Sequence, residues 1–122
     1  MDDMRPGIWV GHIELQTVNL EASESCMENL GMRPVFRNDR VSILELRGGT
    51  HIVLVSSDEE VKVDAPFDLM VEDVDKSWRE FKSRGHQVTD IERGEIHASF
   101  YVTEPGGNRI LVNSSHVTDQ PV

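Results

Sequence analysis

Histidine, carboxylate and arginine side chains recur at strand spacing in this 122-residue chain, and they have the most chemistry to offer. His12, Glu14 and Gln16 stand two apart, as do His51, Val53 and Val55. The same holds for Asp68 with Met70, and for Arg109, Leu111 and Asn113. In a β-strand, residues two apart share one face. Imidazole nitrogen and carboxylate oxygen can bind metals and carry protons. Here, however, valine, methionine and leucine stand among them. Single polar groups on an apolar wall suit a cup that holds a small organic molecule. His97, Ser99 and Tyr101 alternate in the same way, and Tyr101 offers an aromatic wall with a hydroxyl.

The elements that must position these residues occur twice. Offset by 54 residues, Ile13 meets Phe67, Leu15 meets Leu69, Asn19 meets Asp73, Met27 meets Phe81 and Gly31 meets Gly85. Offset by 58, Gly48-Gly49-Thr50-His51-Ile52 meets Gly106-Gly107-Asn108-Arg109-Ile110. Two matches in the same order indicate a duplicated unit. Alternation predicts a strand over about 9–18 and a second led by Phe67, Leu69 and Val71. Asn19 and Asp73 are the predicted N-caps of helices, the first over about 20–30, with Gly31 and Gly85 at their ends. Val74, Trp78 and Phe81 give the second helix one apolar face, which places Trp78 in the core. Three strand-like runs follow each helix, over about 33–37, 40–47 and 50–56, then 87–93, 96–103 and 108–114. The reading is a single α+β domain of two βαβββ modules. Module one covers about 8–56, a polar connector 57–65, module two about 66–114 and a C-terminal tail 115–122. On the other face of the strands, Ile13, Leu15, Ile52, Leu54, Ile110 and Val112 are expected to pack beneath the helices.

Composition narrows the function. Net charge is -10, from 22 acidic against 12 basic residues. Nucleic-acid binders carry a basic stripe, so that class is set aside. No stretch is long and apolar enough for a membrane span, and the N-terminus has no apolar secretory core, so a soluble cytoplasmic protein is expected. With one cysteine, Cys26, no intrachain disulfide can form. Cys26 reads as a packing residue of the first helix. His86 and His116 read as exposed, and Trp9 as a dimer contact or pocket rim.

The paired modules, with GHIELQTVNLEAS opening the first, VEDVD before the second helix and TEPGGNRI near the end, resemble the vicinal oxygen chelate superfamily. Glyoxalase I, bleomycin-resistance proteins and extradiol dioxygenases belong to it. The resemblance covers roughly residues 8–114 and implies two modules whose sheets curl into a cup, a glyoxalase/bleomycin-resistance-like fold with a cupped mixed sheet. It also implies a divalent metal held by four side chains in the glyoxalase-type members. Those four positions fall on His12, Val53, Pro66 and Leu111. Only His12 keeps a donor side chain, and a catalytic site needs about three.

The resulting expectation is a metal-independent binding protein without a cofactor, homodimeric, with a small organic molecule, of a kind that includes cations, held by the residues of the mixed face. One alternative is a metal-dependent lyase, isomerase or dioxygenase with a displaced site of His12, Glu14, His51 and Asp68. Two residues along a strand is about 6–7 Å, so all four would have to shift together. Another alternative is an accessory or regulatory module that binds a protein.

Overall fold

The computed structural model describes residues 4–122 and places two β-sheets around two helices. Strands β1 (His12–Thr17), β2 (Arg33–Arg37), β3 (Val41–Glu45) and β4 (His51–Ser56) form a four-stranded sheet in the order β1-β4-β3-β2. Strands β5 (Val63–Val71), β6 (Gln87–Val88), β8 (Ala98–Thr103) and β9 (Asn108–Ser114) follow the order β5-β9-β8-β6, and β7 (Glu92–Arg93) also pairs with β8. Each sheet joins its first and last strands in parallel and the rest antiparallel. The two βαβββ modules of the α+β reading are therefore present, each with its own sheet.

Helix α1 spans Leu20–Leu30, and the Asn19 side chain accepts from the Ala22 N–H. Helix α2 spans Val74–Ser83, and the Asp73 side chain accepts from the Lys76 N–H. Each cap satisfies one of the donors that a helix start leaves without a partner. Neither helix is long and apolar enough to cross a membrane.

The boundaries differ from the sequence reading: the first strand begins only at His12, and β3 ends at Glu45, before a 3-10 turn over Arg47–Gly49. β5 begins at Val63, inside the stretch read as connector. The run over 87–93 is broken into β6 and β7, because the Thr89 carbonyl turns to the Trp78 ring N–H and Asp90 and Ile91 leave the ladder. The run from 96 begins as a strand only at Ala98, so His97 lies in the turn before β8.

Parity sorts the side chains as expected. Leu15, Leu44, Ile52 and Leu54 of the first sheet meet Val102 and Ile110 of the second around Leu20, Met27 and Met32. Val74, Phe81, Phe100 and Val112 form a second cluster, with Leu30 and Trp78 packed against it. Trp78 is only half-buried, and its Nε1–H donates to the Thr89 carbonyl at 2.8 Å. The helix-side faces of both sheets thus share one interior. Their opposite faces point outwards, and His12, Glu14, Gln16, Asp68 and Met70 are exposed.

A buried carboxylate ties the modules together. Glu104, 1% exposed, sits in the turn between β8 and β9. It accepts from the N–H groups of Gly106 at 2.9 Å and Asn108 at 2.8 Å, from the Asn108 amide at 2.9 Å, and from the Ser23 hydroxyl of α1. Ser23 in turn shares a 2.6 Å hydrogen bond with Thr17 of β1. The turn cannot carry side chains: a Cβ at Gly106 would lie 1.9 Å from Thr17 Oγ1, and one at Gly107 1.7 Å from the Val61 carbonyl oxygen. Removing the carboxylate strands several buried donors, each costing about 1–3 kcal/mol. Glu104→Ala is therefore expected to lose about 3 kcal/mol or more in urea unfolding, whereas the exposed Glu59→Ala stays within about 0.5 kcal/mol of the parent.

Candidate functional site

The parallel pairing of β1 with β4 fixes the outer face of the first sheet. His12 lies beside His51, Glu14 beside Val53 and Gln16 beside Val55. The His12 and His51 rings are 5.7 Å apart between centroids. Antiparallel pairing adds Glu45 beside His51 and Ile43 beside Val53. His51 Nε2 is 3.0 Å from the Glu45 carboxylate, which also takes the Arg33 guanidinium. Hydrogen bonds from Arg33, then from His51, hold the Glu45 carboxyl below its ordinary range. Glu14 has no hydrogen bond or ion pair among the described residues.

The second sheet repeats the plan with other side chains. Asp68 pairs with Leu111 as Glu14 pairs with Val53, and Met70 pairs with Asn113. Ser99 and Tyr101 of β8 lie beside Asn113 and Leu111. The Asn113 amide donates to the Asp68 carboxylate. Arg109 makes a two-pronged bond to Asp64, from Nε at 2.6 Å and from Nη2 at 2.9 Å. Its guanidinium carbon lies 3.9 Å from the centroid of the Tyr101 ring. The Arg109 bonds hold the Asp64 carboxyl below its ordinary range.

Thus the sheets bring His12, Glu14, Gln16 and His51 together on one outer face. They gather Asp68, Met70, Tyr101, Arg109, Leu111 and Asn113 on the other. His97 joins neither set: its ring packs on His116 at 4.6 Å between centroids, and its Nδ1 is buried without a partner among the described residues. Glu45 and Asp64 were missed by the sequence reading. The signal for each was parity with a basic residue on a neighbouring strand, which needs the register to be known.

Helix α1 and the start of β6 come together around Cys26. His86, read as exposed, is held instead: Nε2 is 2.7 Å from Asn29 Oδ1, and Nδ1 is 3.7 Å from Cys26 Sγ. Burial first, then the charge of Glu104, pushes the Cys26 thiol up to about 11. It is a protonated packing residue at neutral pH and a poor nucleophile.

A divalent metal does not fit the four positions implied by the resemblance. Val53 and Leu111 present alkyl groups on the two faces beside Glu14 and Asp68, and Pro66 has no donor. The neighbouring donors are divided between sheets: His12, Glu14 and His51 stand on one and Asp68 on the other. Among the described residues, no three His, Cys, Asp or Glu side chains form a group that could hold a metal ion.

Three comparisons bear on this geometry. The family model described as Glyoxalase/Bleomycin resistance protein/Dioxygenase superfamily matches residues 9–112. No curated protein matches. Among solved structures, lactoylglutathione lyase from Agrobacterium tumefaciens is 19% identical with a TM-score of 0.74, covering 91% of this chain and 96% of that one. A superfamily member from Sphaerobacter thermophilus is 18% identical with a TM-score of 0.76, covering 88% and 98%. The bleomycin-binding protein of Streptomyces verticillus, complexed with copper(II)-bleomycin, is 16% identical with a TM-score of 0.72, covering 92% and 100%. At these identities the likeness is one of fold.

The Arg109–Asp64 bond sets a titration that can be observed. A carboxyl held low by a guanidinium keeps its pair above that depressed value and loses it as pH falls through it. Arg109→Leu is expected to move the Asp64 titration upwards, towards the ordinary carboxyl range, in carboxyl ¹³C spectra. An unmoved titration would show that the pair does not persist in solution.

Proposed function

This chain belongs to the glyoxalase/bleomycin resistance protein/dioxygenase superfamily, and from that premise we propose that it binds a small organic molecule with a cationic group, without using a metal. The observation that carries this reading is the set Val53, Pro66 and Leu111 at positions where the metal-binding relatives need donors. A site that has lost those donors keeps its shape and its apolar walls. Recognition then rests on Glu14, Asp68, Tyr101, Met70 and the polar groups beside them. Exposed carboxylates in a chain of net charge -10 favour a positive ligand. The Streptomyces verticillus neighbour, whose structure holds copper(II)-bleomycin, is a precedent for binding on this scaffold.

The reading includes a second copy. The two outer faces look away from the shared interior, so one chain supplies two half-cups. Laying the first sheet of one protomer against the second sheet of its partner would close both, each from His12, Glu14 and His51 on one side and Asp68, Tyr101 and Leu111 on the other. Light scattering is expected to return twice the 13.8 kDa chain mass. A monomer that binds ligand at full stoichiometry would remove the shared cup.

Binding is tested by thermal shift with organic amines and metal-free bleomycin, in the presence of EDTA. A ligand at a hundredfold its Kd adds about 2.7 kcal/mol, a rise on the order of 10 °C for a domain of this size. The rise is expected to survive EDTA and to shrink in Glu14→Gln. Stoichiometric divalent metal in the purified protein, with binding lost on its removal and in His12→Ala, would replace this reading with the displaced metal site.

A further inference from the structure

Residues 89–91 break the edge of the second sheet, and the gap leaves a cavity of about 270 Å³. Thr89, Asp90, Glu92, Ser99, Phe100, Tyr101 and Arg109 line it. It opens on the outer face, since Glu92 pairs with Ser99 across β7 and β8, and Tyr101 with Leu111 across β8 and β9.

The lining groups carry both signs of charge, and their free valences are specific. Asp90 and Glu92 have no hydrogen bond or ion pair to another side chain among the described residues. On the other side, Arg109 uses Nε and Nη2 on Asp64, and its guanidinium carbon lies over the Tyr101 ring. Its Nη1 donates to no group among the described residues. The guanidinium is thus oriented by two partners while keeping one edge free. A planar, oriented guanidinium recognises a carboxylate or phosphate by direction as well as by charge. Between the two ends, Tyr101 supplies apolar wall, and the Ser99 hydroxyl adds a donor and acceptor.

We propose that this cavity binds a small zwitterion, an aminocarboxylate with an apolar body, its ammonium at Asp90 and Glu92 and its carboxylate at the free edge of Arg109. This rests on the small-molecule-binding reading above and adds to it a subsite on the second sheet, apart from the Glu14 face, for a ligand that is cationic at one end and anionic at the other. A simple cation would leave the oriented edge of Arg109 unused, and a simple anion would meet two carboxylates.

The test uses the ¹⁵N-labelled full chain and two zwitterions that differ in the spacing of their charges, L-phenylalanine and 4-(aminomethyl)benzoate. Each is compared with its singly charged counterparts: phenethylamine and 3-phenylpropionate for the first, benzylamine and benzoate for the second. At least one zwitterion is expected to bind about tenfold more tightly than both counterparts, with amide shifts at Thr89, Glu92, Ser99 and Tyr101. Arg109→Met should reduce that zwitterion to the affinity of its amine counterpart. Glu92→Gln combined with Asp90→Asn should reduce it to that of its acid counterpart. Unchanged amide spectra away from the cavity establish that each variant is folded, and either variant alone suffices for the comparison. If neither zwitterion exceeds its counterparts, or the shifts fall elsewhere, the assignment is overturned. An amine that binds as well as its zwitterion ends this proposal but leaves the cation reading standing. Binding lost on EDTA treatment while the zwitterion preference had been present ends the metal-independent reading instead.

Discussion

The structure depends on a carboxylate that has been taken out of water and given four donors. Glu104 holds the β8–β9 turn in shape through the N–H groups of Gly106 and Asn108 and the Asn108 amide, and it reaches into the other module through Ser23. Burying a charge costs several kcal/mol unless its lone pairs are satisfied. Here every prong of the satisfaction is also a positional constraint. The Asn108 amide additionally donates to the Gln16 carbonyl at 2.7 Å, and the Val18 N–H to the Gly106 carbonyl at 3.3 Å. The turn that starts β9 is therefore fixed to the end of β1. Once those two points are joined, the helix-side faces of both sheets are brought into one interior.

That joining decides what the outer faces can do. With Leu15, Ile52, Leu54, Val102 and Ile110 packed around the first helix, the strand residues of opposite parity have no room to meet each other within the chain. His12, Glu14 and His51 look one way, and Asp68, Tyr101 and Leu111 the other. A four-donor metal site spread over both modules is then a geometric matter for two copies of the chain. The three positions without donors concern chemistry in either arrangement. The fold supplies two shaped faces, and the side chains on them decide the activity.

Much of this was legible in the sequence, for local reasons. Helix α1 is bounded by a residue that caps and a glycine that adopts positive φ, and both are short-range signals: Asn19 accepts from Ala22, and Gly31 has φ 125°. The offset matches placed Leu111 against Val53, and the register agrees, since each pairs with an acid of the preceding module strand. What stayed hidden depends on contacts distant in sequence. Glu104 and Ser23 are 81 residues apart, and Arg109 and Asp64 are 45 apart. The break after Thr89 was invisible for another reason: Thr89 still donates its N–H to the Tyr101 carbonyl, but its hydroxyl in place of its carbonyl accepts from the Tyr101 N–H, which ends the ladder without a glycine or proline to announce it.

The two glycine turns show how duplicated modules separate in role while keeping one pattern. In the first module a Cβ at Gly48 would meet nothing within 4 Å, and at Gly49 only the Trp9 ring nitrogen at 3.9 Å. These glycines are needed for their positive φ, 83° and 93°, and not for space. In the second module the turn is pressed against Thr17, Ser23 and Val61, and space is required in addition to the positive φ of Gly107, 110°. The residue after each turn diverges accordingly. His51 holds Glu45, and Arg109 holds Asp64, so each module spends its basic group on a neighbouring strand's carboxylate. The carboxylates without a partner among the described residues of these faces are then Glu14 on one and Asp90 with Glu92 on the other. A locked turn also fixes the first residues of β9, so the Arg109 guanidinium is presented from a rigid base. An oriented cation beside unpaired acids follows from the same turn that holds the modules together.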